Sequence, residues 1–143
     1  MTRRLALLLP GDPDTPTGGY LYDARMVAGL RALGWQVEVV ALDASFPAPT
    51  PAALAQAEHA LAALPDGALA LVDGLAFGAM PGPAAAHAAR LRLVALVHHP
   101  LAHETGLDPA RAAALRASEV AALAAARAVI ATSPETATRL VQE

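Results

Sequence analysis

The sequence contains no cysteine and no lysine. The absence of cysteine excludes disulfides and thiolate metal sites. Every basic side chain is an arginine, and the formal net charge is -3, so the chain lacks the basic surface of a dedicated nucleic-acid binder. Only 16% of the residues are charged and 55% are hydrophobic, which excludes a disordered chain. We therefore expect a folded protein without a nucleic-acid partner.

Long apolar runs are also missing. The run from Leu5 to Leu9 follows Arg3 and Arg4 as in a signal peptide, but it is too short and the stretch from Pro10 to Pro13 breaks it. No segment is long enough to span a bilayer. We expect a cytoplasmic protein, either free or peripheral at the inner membrane surface.

Short apolar runs alternate with helical patterns along all 143 residues. Such alternation is typical of parallel strands joined by right-handed crossovers. The sequence therefore predicts an α/β fold over residues 1–143: a single Rossmann-like domain with a doubly wound parallel sheet in three α/β/α layers. Strands are predicted at 4–9, 36–42, 68–73, 91–97 and 128–132, and helices at 19–33, 51–64, 84–90, 108–127 and from 134 to the end. Asp108 and Ser133 are predicted helix N-caps, each followed by a proline.

Polar residues follow four of the predicted strands at their carboxyl ends. In doubly wound sheets these ends meet at one edge, where ligands bind. We therefore expect the polar groups to line one site, although they are distant in sequence. The candidate residues are Gly18, Gly19, Tyr20, Asp73, His98, His99, Thr132 and Ser133.

The glycine pair Gly18-Gly19 stands between the first strand, with its long loop, and the first helix. Backbone N–H groups at such a position can cradle a phosphate, and glycine allows its close approach. The spacing is not the G-x-G-x-x-G fingerprint, and an ordinary turn that needs positive φ has the same appearance. Tyr20, directly after the pair, either borders the ligand or packs in the core.

His98 and His99 end the fourth strand before Pro100. Adjacent strand residues point to opposite sides, so both cannot line one pocket if the strand continues through them, although Pro100 ends it here. One is predicted to be a hydrogen-bond donor or proton-handling group at the pocket floor; the alternative is a polar strand end capped by water. Asp73 either binds a sugar hydroxyl, acts as a base, or is a turn acid before Gly74.

Three further features have simpler interpretations. A metal site built from the two histidines with His103 and Glu104 is disfavoured, because Pro100 opposes the helix that their spacing needs. We expect no metal. Thr132 and Ser133 are a strand end and an N-cap, with a secondary binding role at the ligand edge. Glu119, inside the long helix, is expected to be a solvated or capping carboxylate.

The order of these pieces resembles the N-terminal domain of retaining nucleotide-sugar glycosyltransferases of the GT-B fold. The resemblance covers nearly the whole chain. It is carried by Gly18-Gly19-Tyr20, residues 30–40, Val72-Asp73-Gly74, residues 96–101, residues 119–126 and residues 129–133.

The resemblance implies a two-domain enzyme whose N-terminal half mainly binds the acceptor, a sugar or a lipid. Gly18 and Gly19 would meet the diphosphate of the nucleotide-sugar donor. His98 would be the catalytic residue, hydrogen-bonding the transferred sugar or stabilising charge at the reacting centre. Asp73, Thr132 and Ser133 would line the acceptor side. No cofactor is implied beyond the donor itself.

The family continues into a second domain with the nucleotide pocket, and none of its motifs is present here. We therefore expect the chain to be inactive alone, to need that C-terminal domain, and to self-associate through the exposed cleft. Two alternatives stay open: a stand-alone nucleotide- or phosphate-binding module, and a small hydrolase with histidine and aspartate at the strand ends.

Overall fold

The computed structural model describes residues 3–11 and 18–143, which contain a five-stranded parallel sheet in the order β2-β1-β3-β4-β5. The strands are β1 (Arg4–Pro10), β2 (Gln36–Leu42), β3 (Leu69–Asp73), β4 (Arg92–Val97) and β5 (Ala128–Ala131). The helices are α1 (Gly18–Ala32), α2 (Pro51–Ala62), α3 (Gly74–Phe77), α4 (Pro81–His87), α5 (Pro109–Ala124) and α6 (Pro134–Val141), with a 3₁₀ turn at Leu101–His103. The predicted Rossmann-like α/β fold is confirmed.

Helix starts follow local chemistry that can be read from the sequence. Thr50, Asp108 and Ser133 each accept a hydrogen bond from the amide three residues ahead, and a proline follows each of them. The predicted caps at Asp108 and Ser133 are confirmed. The helix predicted at 84–90 instead begins at Pro81 and ends at His87. Proline suits this first turn because its missing N–H would have no helical partner there.

The two faces of the sheet are both apolar and are covered differently. On one face Leu5, Leu7 and Leu9 pack with Val27 of α1, and we call this the α1 face. On the other face Ala6 and Leu8 pack with residues from α2, α3, α4 and α5. Burial on both faces explains why β1 is a continuous apolar run and does not alternate with polar residues.

The junction of β3 and α3 is tight and sets the position of Asp73. A Cβ on Gly74 would lie 3.2 Å from the carbonyl oxygen of Leu96 and from Cα of Val97, so glycine allows α3 to start against β4. Asp73 pairs in register with Leu96. His98 comes two residues after Leu96 and directly follows the end of β4, which brings its ring within reach of Asp73.

Candidate active site

Three side chains from distant parts of the chain meet at the carboxyl edge of the sheet. Nε2 of His98 lies 3.0 Å from Oδ1 of Asp23 and 3.2 Å from Oδ2 of Asp73. Asp23 comes from α1, Asp73 ends β3 and His98 follows β4. The sheet changes winding direction between β1 and β3, and α1 follows β1, so this cluster lies at the topological switch point where doubly wound folds bind ligands.

The cluster is buried except for the imidazole. Asp23 is 1% exposed, whereas the His98 side chain keeps 16% of its area exposed. Oδ1 of Asp73 accepts a hydrogen bond from the amide of Leu75 at 2.9 Å and so caps α3. Oδ2 of Asp23 is buried and has no hydrogen-bond partner among the residues that the structure describes. The ring of His98 is thus the group of the cluster that a ligand can reach.

The three groups shift one another's protonation. Burial lowers the pKa of His98, but the hydrogen bonds and charges of Asp23 and Asp73 outweigh it and raise this pKa to about 9. Burial, helped by the neighbouring Asp73, raises the pKa of Asp23 to about 7. Burial also acts to raise the pKa of Asp73, but the interactions with His98 and Asp23 and the hydrogen bond from the Leu75 amide outweigh it and lower this pKa. Near neutral pH the cluster therefore holds an imidazolium, the Asp73 carboxylate and an Asp23 between its two protonation states.

Neighbouring elements hold His98 on two further sides. The hydroxyl of Thr136 in α6 donates to the carbonyl oxygen of His98 at 2.8 Å, and Ser133 caps the same helix. The ring of Tyr22 meets the imidazole edge to face, with centroids 5.4 Å apart. The backbone and the ring of His98 are therefore both fixed.

His99 points away from this cluster. Its Nε2 lies 2.7 Å from Oε1 of Glu104, and both side chains are partly exposed. The two adjacent histidines thus have different partners, but both lie beyond the end of β4, so the alternation predicted for a continuing strand is not tested. Binding of substrate by His99 stays a prediction, at a different position from the cluster of His98.

The other predicted site residues lie around the same edge. Gly18 and Gly19 open helix α1, one residue earlier than predicted, and the loop residues 12–17 lie outside the described part of the chain. Tyr20 is half-buried and packs against the apolar cluster of the α1 face. The amide of Thr132 donates to the Val97 carbonyl, and Ser133 lies one residue further.

Sequence reasoning missed Asp23, although a signal was present. Asp23 stands four residues before Val27, which is buried against the sheet, so a helix over this region places the acid on its apolar side. An acid on an apolar helix face has to find a partner in the interior.

Glu119 corrects a second expectation, because it is not solvated. It is 0% exposed and accepts the amide of Leu101 at 3.3 Å, so it caps the 3₁₀ turn and no part of its own helix. Burial, with a hydrogen bond to Glu143, raises the pKa of Glu119 to about 8. Helix α5 packs into the core against α4 and the 3₁₀ turn. Because alanines occur on all sides of this helix, the sequence does not show that the side carrying Glu119 is the buried one.

A cation could in principle bind among the same three side chains. One ligand atom from each of Asp23, Asp73 and His98 lies within 4.8 Å of the others, and carboxylates with imidazole are a common donor set. This group of described residues differs from the metal site considered in the sequence analysis, which included His99 and Glu104, because those two side chains pair with each other. The expected absence of a metal stays a prediction.

Two cavities lie near the sheet edges. One of about 550 Å³ lies at the amino ends of the strands, between Arg4, Asp66 and Arg92. Another of about 470 Å³ lies beside α1 and is lined by Tyr20 and Asp23 among others. Ligands of doubly wound sheets bind at the carboxyl ends, so the smaller cavity is the one that adjoins the site.

Comparison with models of known protein families finds no match for this chain, and comparison with curated proteins finds none either. Within the described residues, no helix has the length and apolar character needed to cross a membrane.

Proposed function

We propose that this chain is the acceptor-side domain of a retaining glycosyltransferase that moves a sugar from a nucleotide-sugar donor to a sugar or lipid acceptor. The observation that carries the proposal is the imidazole of His98, which is held by two carboxylates at the switch point of the sheet and is partly exposed. Nδ1 of this ring has no partner among residues 3–11 and 18–143, so it is available to a ligand.

The chemistry of the site fits transfer of a sugar. Departure of a nucleoside diphosphate leaves negative charge on the phosphate and positive charge on the sugar ring. A cationic imidazole can hydrogen-bond the sugar or stabilise the departing charge, and the amino end of α1, which opens with Gly18 and Gly19, can meet the diphosphate.

Asp73 supports this role through His98. One of its oxygens faces Nε2 of His98 and the other accepts the Leu75 amide, so neither is left to act as a base. Tyr20, His99, Thr132 and Ser133 border the same edge and are the proposed acceptor contacts. The donor's nucleotide would be held by a second domain, and the acceptor would be met in the cytoplasm or at the inner membrane surface.

Titration with UDP-glucose and GDP-mannose, followed by amide NMR of the chain, tests the proposal. We expect weak binding with shifts at the start of α1, at Asp73 and at His98. His98→Ala should abolish these shifts, whereas His103→Ala, an exposed histidine in the 3₁₀ turn, should leave them unchanged. Shifts at the amino-edge cavity would overturn the assignment, and so would an absence of shifts with millimolar donor that persists after the nucleotide-binding domain is added.

Activity gives the second test, in the full protein that contains the nucleotide-binding domain. Removing one group that stabilises transition-state charge costs roughly 10²–10³ in kcat. We expect a loss of this order for His98→Ala and none for His103→Ala. Tight binding of free UMP by the chain alone would instead favour the stand-alone nucleotide-binding module.

A further inference from the structure

Asp23 has no role that folding explains. Burying a carboxyl group is unfavourable, and within the described part of the chain Oδ2 of Asp23 has no hydrogen-bond partner to compensate. Asp73 alone would be enough to orient the ring of His98. A second buried acid at the same ring atom therefore calls for a reason beyond stability.

The geometry restricts the protonation of the ring. Both Asp23 and Asp73 face the same nitrogen, Nε2, at 3.0 and 3.2 Å. Carboxylate oxygens can only accept, so both contacts are favourable when Nε2 carries its proton. When Asp23 is ionised, as it is above about pH 7, a second carboxylate adds to the charge that holds this proton in place and disfavours the tautomer in which only Nδ1 is protonated.

We propose that Asp23 is a positioning residue for His98: together with Asp73 it keeps Nε2 protonated, so that the ring meets the ligand through Nδ1–H as a cationic donor and does not act as a base. The identity of the ligand rests on the proposed function; the placement of the proton does not. Among residues 3–11 and 18–143, the other contacts recorded for the ring and the backbone of His98 are with Tyr22 of α1 and Thr136 of α6, and both of these residues are uncharged.

A divalent cation between the same atoms is the competing arrangement. Ligand atoms about 3 Å apart also suit neighbouring positions around a cation with bonds of roughly 2.1 Å. That arrangement requires Nε2 without its proton. The short contacts from one nitrogen to both acids fit a shared proton without any further atom, so we favour the proton.

NMR of the imidazole nitrogens, recorded against pH, tests the placement directly. In the wild-type chain we expect His98 to titrate near 9 and to be Nε2-protonated in its neutral form. In Asp23→Asn the pKa of His98 should fall by at least one pH unit. Asp66→Asn, an exposed acid paired with Arg90, should leave it unchanged. If Asp23→Asn does not fold, the tautomer of neutral His98 in the wild-type chain is sufficient to test the proposal.

Three results would overturn the proposal. They are a neutral His98 protonated at Nδ1, a pKa of His98 that does not respond to Asp23→Asn, and saturable broadening of the His98 signals by micromolar Mn²⁺, which would indicate the cation.

In the full enzyme, Asp23→Asn should lower kcat, leave the donor KM nearly unchanged, and shift the basic limb of the pH profile to lower pH. Correct nitrogen spectra without any donor binding, even with the nucleotide-binding domain present, would refute the proposed function and leave the role of Asp23 intact.

Discussion

Asp23 and Glu119 are acids in surroundings where a negative charge is unfavourable. Both are buried, and burial is the main reason that the pKa of each is raised, to about 7 and about 8. The two acids lie on different helices, and they differ in their surroundings. Asp23 adjoins a cationic ring that a ligand can reach, whereas Glu119 is enclosed behind the 3₁₀ turn.

These shifts predict how stability depends on pH. Asp23, Glu119 and His98 all bind a proton more tightly in the folded chain than in the unfolded chain. The folded state therefore holds more protons, and the free energy of unfolding should fall as pH rises from about 4 to about 9. The lowered pKa of Asp73 has the opposite effect: its carboxylate stabilises the fold at neutral pH, and this stabilisation is lost only in more acidic solution. Urea unfolding at pH 5, 7 and 9 measures this; a flat or rising curve would contradict it.

Glu119→Gln isolates one of the three contributions. Glutamine keeps the acceptor for the Leu101 amide but cannot ionise, so the variant should lose less stability than the wild type between pH 5 and pH 8. Glu38→Gln, an exposed acid on β2, is the matched control and should follow the wild-type curve. If both variants respond to pH alike, the buried proton does not belong to Glu119.

At the scale of elements, the close approach of α3 to α5 explains why a glycine follows α3. A Cβ on Gly78 would lie 2.7 Å from Cδ1 of Leu101 and 3.1 Å from Oε2 of Glu119. Ser118 adds a hydrogen bond from its hydroxyl to the Gly78 carbonyl. The end of α3 is thereby packed directly onto the element that carries the buried acid.

Gly78→Ala should destabilise the fold by about 1–3 kcal/mol, as overpacking of a filled interior does. Gly82→Ala is the control, because Gly82 lies in α4 with no atom within 4 Å of its Cβ position. Alanine there should stabilise by roughly 0.4–1 kcal/mol. Thermal or urea unfolding measures both, and equal effects of the two variants would refute the packing argument.

The elements differ in how far the sequence specifies them. Strand β2 and the caps of α5 and α6 follow from β-rich residues and from the pairs Asp108-Pro109 and Ser133-Pro134, and the structure agrees. The contact of Asp23 with His98 depends on how α1 is rotated over the sheet. Asp23 and His98 are 75 residues apart in sequence, so that rotation is set by long-range packing and cannot be predicted from a local pattern.

The whole molecule leaves one edge of its sheet apolar. In the described part of the chain β5 pairs only with β4, and its Val129 and Ile130 are 42% and 39% exposed on opposite faces. Strand edges of this kind tend to pair with other chains unless charges interrupt them.

We expect concentration-dependent self-association through the β5 edge, in addition to the self-association through the exposed cleft that is expected from the sequence. Val129→Lys should reduce it, because a charge on an edge strand opposes pairing. Leu33→Lys, which changes a more exposed leucine outside the strands, should have no such effect. Light scattering that shows a monomer throughout, or equal effects of the two lysines, would contradict this role of the edge.

The hydrogen bond from Thr136 to the carbonyl of His98 links helix α6 directly to the residue whose ring contacts Asp23 and Asp73. The carbonyl of His98 is fastened to α6, while its imidazole is fastened to α1 and β3. Any tilt of α6 pulls on the same residue whose ring the two acids hold. A molecule that docks against α6 would therefore displace the imidazole ring through one residue, His98.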